Sequence, residues 1–307
     1  MTYAVGVDLG GTKTAVALVA SDGALGEVVT APTPAAEGGD AVLDVVADLV
    51  RRVMPDDVLG VGVGTAGVVD SRAGCIISST DTFRCWVGTD VASGLRSRLS
   101  WGDDRRVCVL NDVDAHAMGE FRFGAAQGLE SLFMVAVGTG VGGALVLGGK
   151  LRTGAHHVAG EMGHMPVPGA KKLRCPCGRP GHLEAIAAGP AIERRYASLG
   201  GDRASGRDIM ERADAGYDDD ARTVVRDAAV ALGKAIAGVV TVVDPAAVVI
   251  GGGVADAGPV WWQPLRDTIR SEVVPVLAEL PVLKAQLGSS AALVGAAAQV
   301  FANEERS

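Results

Sequence analysis

Twice in this chain an apolar strand runs into a glycine turn and out into a second apolar strand. Tyr3-Ala4-Val5-Gly6-Val7 leads through Asp8-Leu9-Gly10-Gly11-Thr12-Lys13-Thr14 into the apolar run 15–19, and residues 133–147 repeat the plan around Gly138-Thr139-Gly140-Val141-Gly142-Gly143. Short apolar runs bounded by glycine read as strands. The repetition suggests an internal duplication whose halves face one ligand. Adjacent glycines let backbone N–H groups face an anion, Thr12 and Lys13 add donors, and Asp8 could hold an accompanying cation. The G-x-x-x-x-G-K-[ST] spacing is missing and a hairpin follows instead of a helix, so this is not the P-loop. On these residues alone, a phosphate loop and an ordinary hairpin turn capped by Asp8 are equal readings.

The stretches between the repeats alternate strand and helix. Val42, Leu43, Val46, Leu49, Val50 and Val53 recur at helical spacing to about Met54, and an apolar strand over 59–64 is followed by a second extended run to Ile77. That alternation predicts an α/β protein. Residues 78–90 join Ser78, Ser79, Thr80, Asp81 and Thr82 to Trp86, a mixture that suits either sugar contact or an exposed turn. The strand Val107-Cys108-Val109-Leu110 then runs into Asn111-Asp112, with a helix from about Val113 carrying Ala115, Met118 and Phe121 inward. A carboxylate at the carboxyl end of a buried strand is where α/β proteins place working groups. Asp112 could instead cap the helix, but Asn111 beside it supplies an amide that, with a carboxylate, grips adjacent hydroxyls.

Further on, Gly189-Pro190 opens a mainly helical region, 200–220 reads as polar and exposed, and 224–240 as a long helix. A buried strand over 247–250 ends on Gly251-Gly252-Gly253, where a flat ring could lie against bare backbone or the chain could simply turn tightly. The apolar helix 291–301 is expected to pack back on a core.

Residues 160–184 carry His164, Cys175, Cys177 and His182, nitrogen and sulfur donors of the kind that close a tetrahedral Zn²⁺ site. Redox pairs are normally C-x-x-C, whereas only Pro176 separates these cysteines. A bland loop with two free thiols is the other alternative, since Cys is often simply a small hydrophobe, but Pro and Gly surround the pair, which makes these loop thiols and not core ones. The expected zinc is structural, with all four positions filled by protein. Glu161 and Glu184 are interleaved and unneeded by the metal, as if a metal-shaped loop presented acids to something else.

At 307 residues the chain has room for two domains. Lys plus Arg number 28 against 36 Asp plus Glu, a net charge of -8 that disfavours nucleic acid, and no basic block offsets it. The first residues show no signal-type pattern. The uncharged segment 132–149 contains six glycines and reads as strands rather than a membrane span. Five cysteines, an odd number without a disulfide-like framework, point to the cytoplasm.

Taken in order, Asp8 to Lys13, Asn111-Asp112, Gly138 to Gly143, Glu161-Met162-Gly163-His164, Cys175 to Glu184 and Gly251 to Gly253 give a chain that resembles the ROK-family sugar kinases (repressors, open reading frames, kinases) of the actin-like ATPase superfamily. The resemblance implies two actin-like α/β lobes with a cleft between them, a smaller one over 1–110 with the helix 291–302 packed back on it, and a larger one over 111–290 bearing the zinc loop. It implies ATP-dependent phosphorylation of a hexose 6-hydroxyl, glucose foremost, with N-acetylglucosamine or N-acetylmannosamine as alternatives and a non-catalytic sugar sensor as the rival of another class. Asp112 would be the catalytic base, and Asn111, Glu161, His164 and Glu184 would hold the other hydroxyls. Asp8, Gly10, Gly11, Thr12 and Lys13 would hold the β- and γ-phosphates with Mg²⁺. Gly138, Thr139 and Gly140 would complete the cradle, and Gly251, Gly252 and Gly253 would lie against adenosine. His164 would serve twice, one ring nitrogen on Zn²⁺ and the other N–H toward the sugar. A homodimer or higher oligomer is expected on family grounds. Two departures stand out. The family signature C-x-C-G-x-x-G-C-x-E has His182 in place of its last cysteine, and Asp81 stands where family glucokinases often carry Asn. Family repressors carry an additional helix-turn-helix domain at the N-terminus, for which a first strand at Tyr3 leaves no room.

Overall fold

The computed structural model describes residues 1–79, 82–102 and 104–302. Asp81 lies outside them. In chain order, the hairpin β1 (Tyr3–Leu9) and β2 (Lys13–Ala20) is followed by β3 (Val29–Pro32), α1 (Gly39–Val53) and β4 (Gly60–Thr65). A small hairpin of β5 (Val68–Asp70) and β6 (Cys75–Ser78) precedes α2 (Val91–Leu99), β7 (Arg106–Asn111) and α3 (Asp112–Phe123). The second half runs β8 (Ser131–Val137), β9 (Val141–Leu147), β10 (Lys150–Leu151), a 3₁₀ turn over Met162–His164, α4 (Glu184–Ala187), α5 (Gly189–Ser198) and α6 (Gly206–Ala215). It closes with α7 (Asp219–Val243), β11 (Val248–Gly251), α8 (Pro259–Glu272), β12 (Val282–Lys284) and α9 (Ala291–Ala302).

One topology occurs twice. The first sheet has the order β3-β2-β1-β4-β7 and the second β10-β9-β8-β11-β12, each with an antiparallel hairpin at its start and parallel strands after it. The duplication read from the glycine turns is therefore a duplication of fold. β1 and β4 bury nearly every residue, as parallel strands covered on both faces do.

Two compact units result. One comprises Met1–Leu129, Gly148–Ala159 and the chain from Gln286; the other comprises Glu130–Leu147 and Gly160–Ala285. The sequence reading begins the second lobe at 111, yet α3 stays with the first unit. The reason is its contact with α9: a Cβ at Gly295 would strike the Ala115 carbonyl of α3, and one at Gly62 of β4 would strike the Ala296 carbonyl of α9. Helix and sheet backbones touch here with no side chain between them. Residues a hundred and more apart in sequence thus set the position of Asp112.

Other segments differ from the sequence reading for similar reasons. The extended run to Ile77 reverses into the β5–β6 hairpin, because Asp70 accepts the N–H groups of Arg72 (3.0 Å) and Ala73 (3.1 Å) and folds the turn back. The stretch 200–220 contains α6, started by a Ser205–Asp208 capping box and burying Ile209, Met210 and Ala213. Trp86 does not lie open on an exposed turn. It is buried, stacked on Phe83 at 5.0 Å, with its indole N–H on the Ala66 carbonyl at 3.4 Å. Phe121 is only half-buried, whereas α3 turns the acids Asp114 and Glu120 inward. Among the described residues no helix is long and apolar enough to cross a membrane.

Candidate active site

In the first unit two acids come together at the carboxyl ends of parallel strands. Asp8 of β1 pairs in register with Gly64 of β4, which pairs with Leu110 of β7, so Asp8 and the Asn111-Asp112 step share one edge of the sheet. Asn111 is the residue that caps α3. Its Oδ1 accepts the Val113 N–H at 2.9 Å while its Nδ2 donates to the Gly67 carbonyl at 3.0 Å. Asp112 is thereby released from capping and becomes the first helical residue, with its own Oδ1 also on the Val113 N–H at 3.0 Å. The Asn111 side chain also hydrogen-bonds the Asp112 carboxyl, so amide and carboxylate stand as one polar pair at the head of α3.

Burial pushes the Asp112 carboxyl above its ordinary 3.8, while nearby His116, the Val113 N–H and Asn111 oppose the rise. Asp8 is raised too, first by burial and further by the charge of Asp112, with His116 and Lys13 pulling the other way. Two half-desolvated acids that repel each other form a site that a divalent cation would relieve. Lys13 and Thr12 lie exposed on the turn that follows Asp8, and Thr33 braces that turn by donating to the Gly10 carbonyl at 2.7 Å.

In the second unit the repeated turn borders a cavity of about 730 Å³. Gly138, Thr139 and Gly253, three of the residues expected at the nucleotide, line it. Gly140, Gly251 and Gly252 are not among its lining residues. Gly252 has φ 87°, and a Cβ there would strike the backbone of Val137. The far side is formed by residues the sequence reading missed, among them Gly189, Glu193, Met210 and Asp214. Of these only the Gly189-Pro190 step carried a local signal, and the Gly189 N–H binds the Gly138 carbonyl at 2.9 Å.

The four proposed metal donors converge. One ligand atom from each of His164, Cys175, Cys177 and His182 lies within 4.8 Å of the others. Cys175 Sγ is 3.6 Å from His164 Nδ1, and Cys177 Sγ is 3.2 Å from His182 Nδ1. Donors around a tetrahedral zinc stand about 3.3–3.8 Å apart, so these two pairs are close to that spacing and the set as a whole is compact enough to close on one ion. Burial pushes the Cys175 thiol up to about 12, with Cys177 and Glu184 adding to the rise and a Cys177 N–H opposing it. Only a cation would ionise it there. The other ring nitrogen of His164 faces Glu161 at 3.7 Å, and Glu184 is held by the Val141 N–H at 2.9 Å and by Cys175 at 3.8 Å. Metal donors and acids are thus one connected group.

A hairpin with a glycine turn opening each of two like sheets defines the actin-like ATPase fold. The ROK family profile matches residues 4–303, and the chain belongs to that family. The glucokinase of Thermotoga maritima is 32% identical over 310 residues, covering 95% of each chain. A ROK hexokinase from Thermus thermophilus matches at 34% identity with a TM-score of 0.87 over the whole of both chains. A ROK-family glucokinase from Streptomyces griseus, solved with glucose and AMPPNP, matches at 33% and 0.79, covering 96% of this chain and 98% of that one.

Proposed function

We propose that the protein is an ATP-dependent hexose kinase that phosphorylates the 6-hydroxyl of glucose, with Asp112 as the base. The observation that carries this reading is the Asn111-Asp112 step. There a carboxylate is freed from capping, aimed by a backbone N–H and raised by burial. A base works best when its conjugate acid approaches the working pH, and burial moves Asp112 in that direction. Its proton acceptance makes the sugar oxygen a nucleophile toward the γ-phosphorus. Asn111, Glu161, His164 and Glu184 hold the remaining hydroxyls. The cavity beside Gly138 and Gly253 takes adenosine, its volume falling within the roughly 300–1,000 Å³ of small-molecule sites. The turns at 10–13 and 138–140 receive the phosphates. Asp8 is the residue that would hold Mg²⁺, which neutralises charge on the transferring phosphoryl group. The metal we assign to the Cys₂His₂ group is zinc. Its part is structural, and it leaves His164 Nε2 as a donor toward the sugar.

Turnover of ATP to ADP with Mg²⁺ against glucose, mannose, N-acetylglucosamine, N-acetylmannosamine and a sugar-free blank tests this. Glucose is expected to raise turnover most. Preference for an N-acetyl sugar changes the substrate, and binding without turnover makes the protein a sensor. Asp112→Asn is expected to keep sugar affinity and lose about 10²–10⁴-fold in kcat; near-normal kcat would remove Asp112 from its role.

A further inference from the structure

The helix that begins at Asp112 carries a second acid for which phosphoryl transfer has no use. Glu120, on α3, is wholly buried. Both its oxygens are taken by backbone: Oε2 accepts the Ala125 N–H at 2.8 Å, and Oε1 accepts those of Gln286 at 2.9 Å and Leu287 at 2.8 Å. Its carbonyl accepts Gly124 at 3.2 Å and Ala126 at 3.0 Å. Gly124 is glycine for the same reason, since a Cβ there would collide with Glu120 Oε2.

These partners stand beside two points where the chain passes between the units. It leaves the first unit after Leu129 and returns to it for the last time at Gln286. A local helix stop would need only the bond to Ala125. The bonds to Gln286 and Leu287, across 166 and 167 residues of sequence, are what a local stop does not explain. Cheaper ways to fill a core exist, because a buried carboxylate must be fully paired to be tolerated.

We propose that Glu120 is a positioning residue: a joint that fastens both passages, 124–129 and 286–287, to the helix that presents Asp112. The outgoing and returning chain are then held in fixed register with the base. The proposal rests on the reading of Asp112 given above. Loosening the joint leaves Asp112 in place but lets the passages drift, and a displacement of about 1 Å between reacting groups costs on the order of 10²-fold in rate.

The test uses the full chain with Glu120→Gln, which keeps the shape but sets an NH₂ against a backbone N–H. Expected are faster hydrogen exchange at Ala125, Gln286 and Leu287, a kcat about 10- to 100-fold lower, an unchanged adenosine affinity and an unchanged acid limb of the pH profile. A purely structural residue would lower the melting temperature and leave kcat per folded molecule as it was; that result overturns the proposal, as does unchanged exchange at the three amides. If Glu120→Gln does not fold, Gly124→Ala displaces the same carboxylate and is expected to lower kcat alike, with normal kcat again overturning it. Should the wild type itself show no sugar-dependent turnover, the kinase reading falls first and this assignment with it, whereas a normal wild type beside a normal Glu120→Gln removes the joint alone.

Discussion

Asp112 and Glu120 sit on one helix and show how differently two acids can be read. Asp112 was visible because a strand ended on Asn-Asp and a helix followed, a pattern with a local cause. Glu120 looked like any polar residue of an amphipathic helix, and its partners at 286 and 287 lie far along the chain. Asp112 also sets a pH dependence. As the proposed base it must be ionised, so activity is expected to be gained as pH rises through its raised folded-state pKa. In stability the sign is opposite. Between the unfolded value near 3.8 and the raised folded value, the folded chain keeps a proton that the unfolded chain has lost, so stability declines as pH rises through that window. His116, whose Nδ1 lies 2.8 Å from the Asp112 carbonyl, is the main influence holding the rise in check. His116→Gln is therefore expected to move the acid limb of kcat to higher pH. A limb that stayed put or moved lower would refute the coupling.

Among the elements, the cysteine loop was the most legible and α6 the least. Four donors of the right chemistry fell within 164–182, and they converge because a 3₁₀ turn carries His164 while tight turns at Gly178 and Gly181 bring Cys177 and His182 together. Structural zinc contributes on the order of 10 kcal/mol in small zinc domains. Chelation is accordingly expected to lower the melting temperature and to speed hydrogen exchange over 164–184, leaving β1 to β7 protected. Metal analysis finding less than one equivalent of zinc in freshly purified protein would end the assignment. By contrast, the polar surface of α6 hid a helix whose capping box at Ser205 and Asp208 was present in the sequence, and three inward residues in ten are too few to stand out by periodicity.

For the whole molecule the repeated strand order is the governing fact, and each unit carries its own sheet and its own glycine turn. The cavity beside Gly138 is lined by residues of the second unit alone. Adenosine without phosphates is thus expected to slow hydrogen exchange at 189–193, 206–214 and 253–258 and to leave the turn at 10–13 unchanged, whereas a nonhydrolysable ATP analogue should protect both. Equal protection of the first turn by adenosine would contradict this division. By itself the sequence determined the strand and turn repeats, the strand-to-helix step at Asn111-Asp112 and the cluster of Cys and His donors, because each depends on neighbours within about twenty residues. Only the tertiary structure decided that Trp86 is core, that α3 belongs beside α9 and that Glu120 binds the returning chain. Those outcomes depend on backbone approaching backbone across long stretches of sequence, where Gly62 and Gly295 leave space and a buried acid finds its amides, and no local period records such contacts.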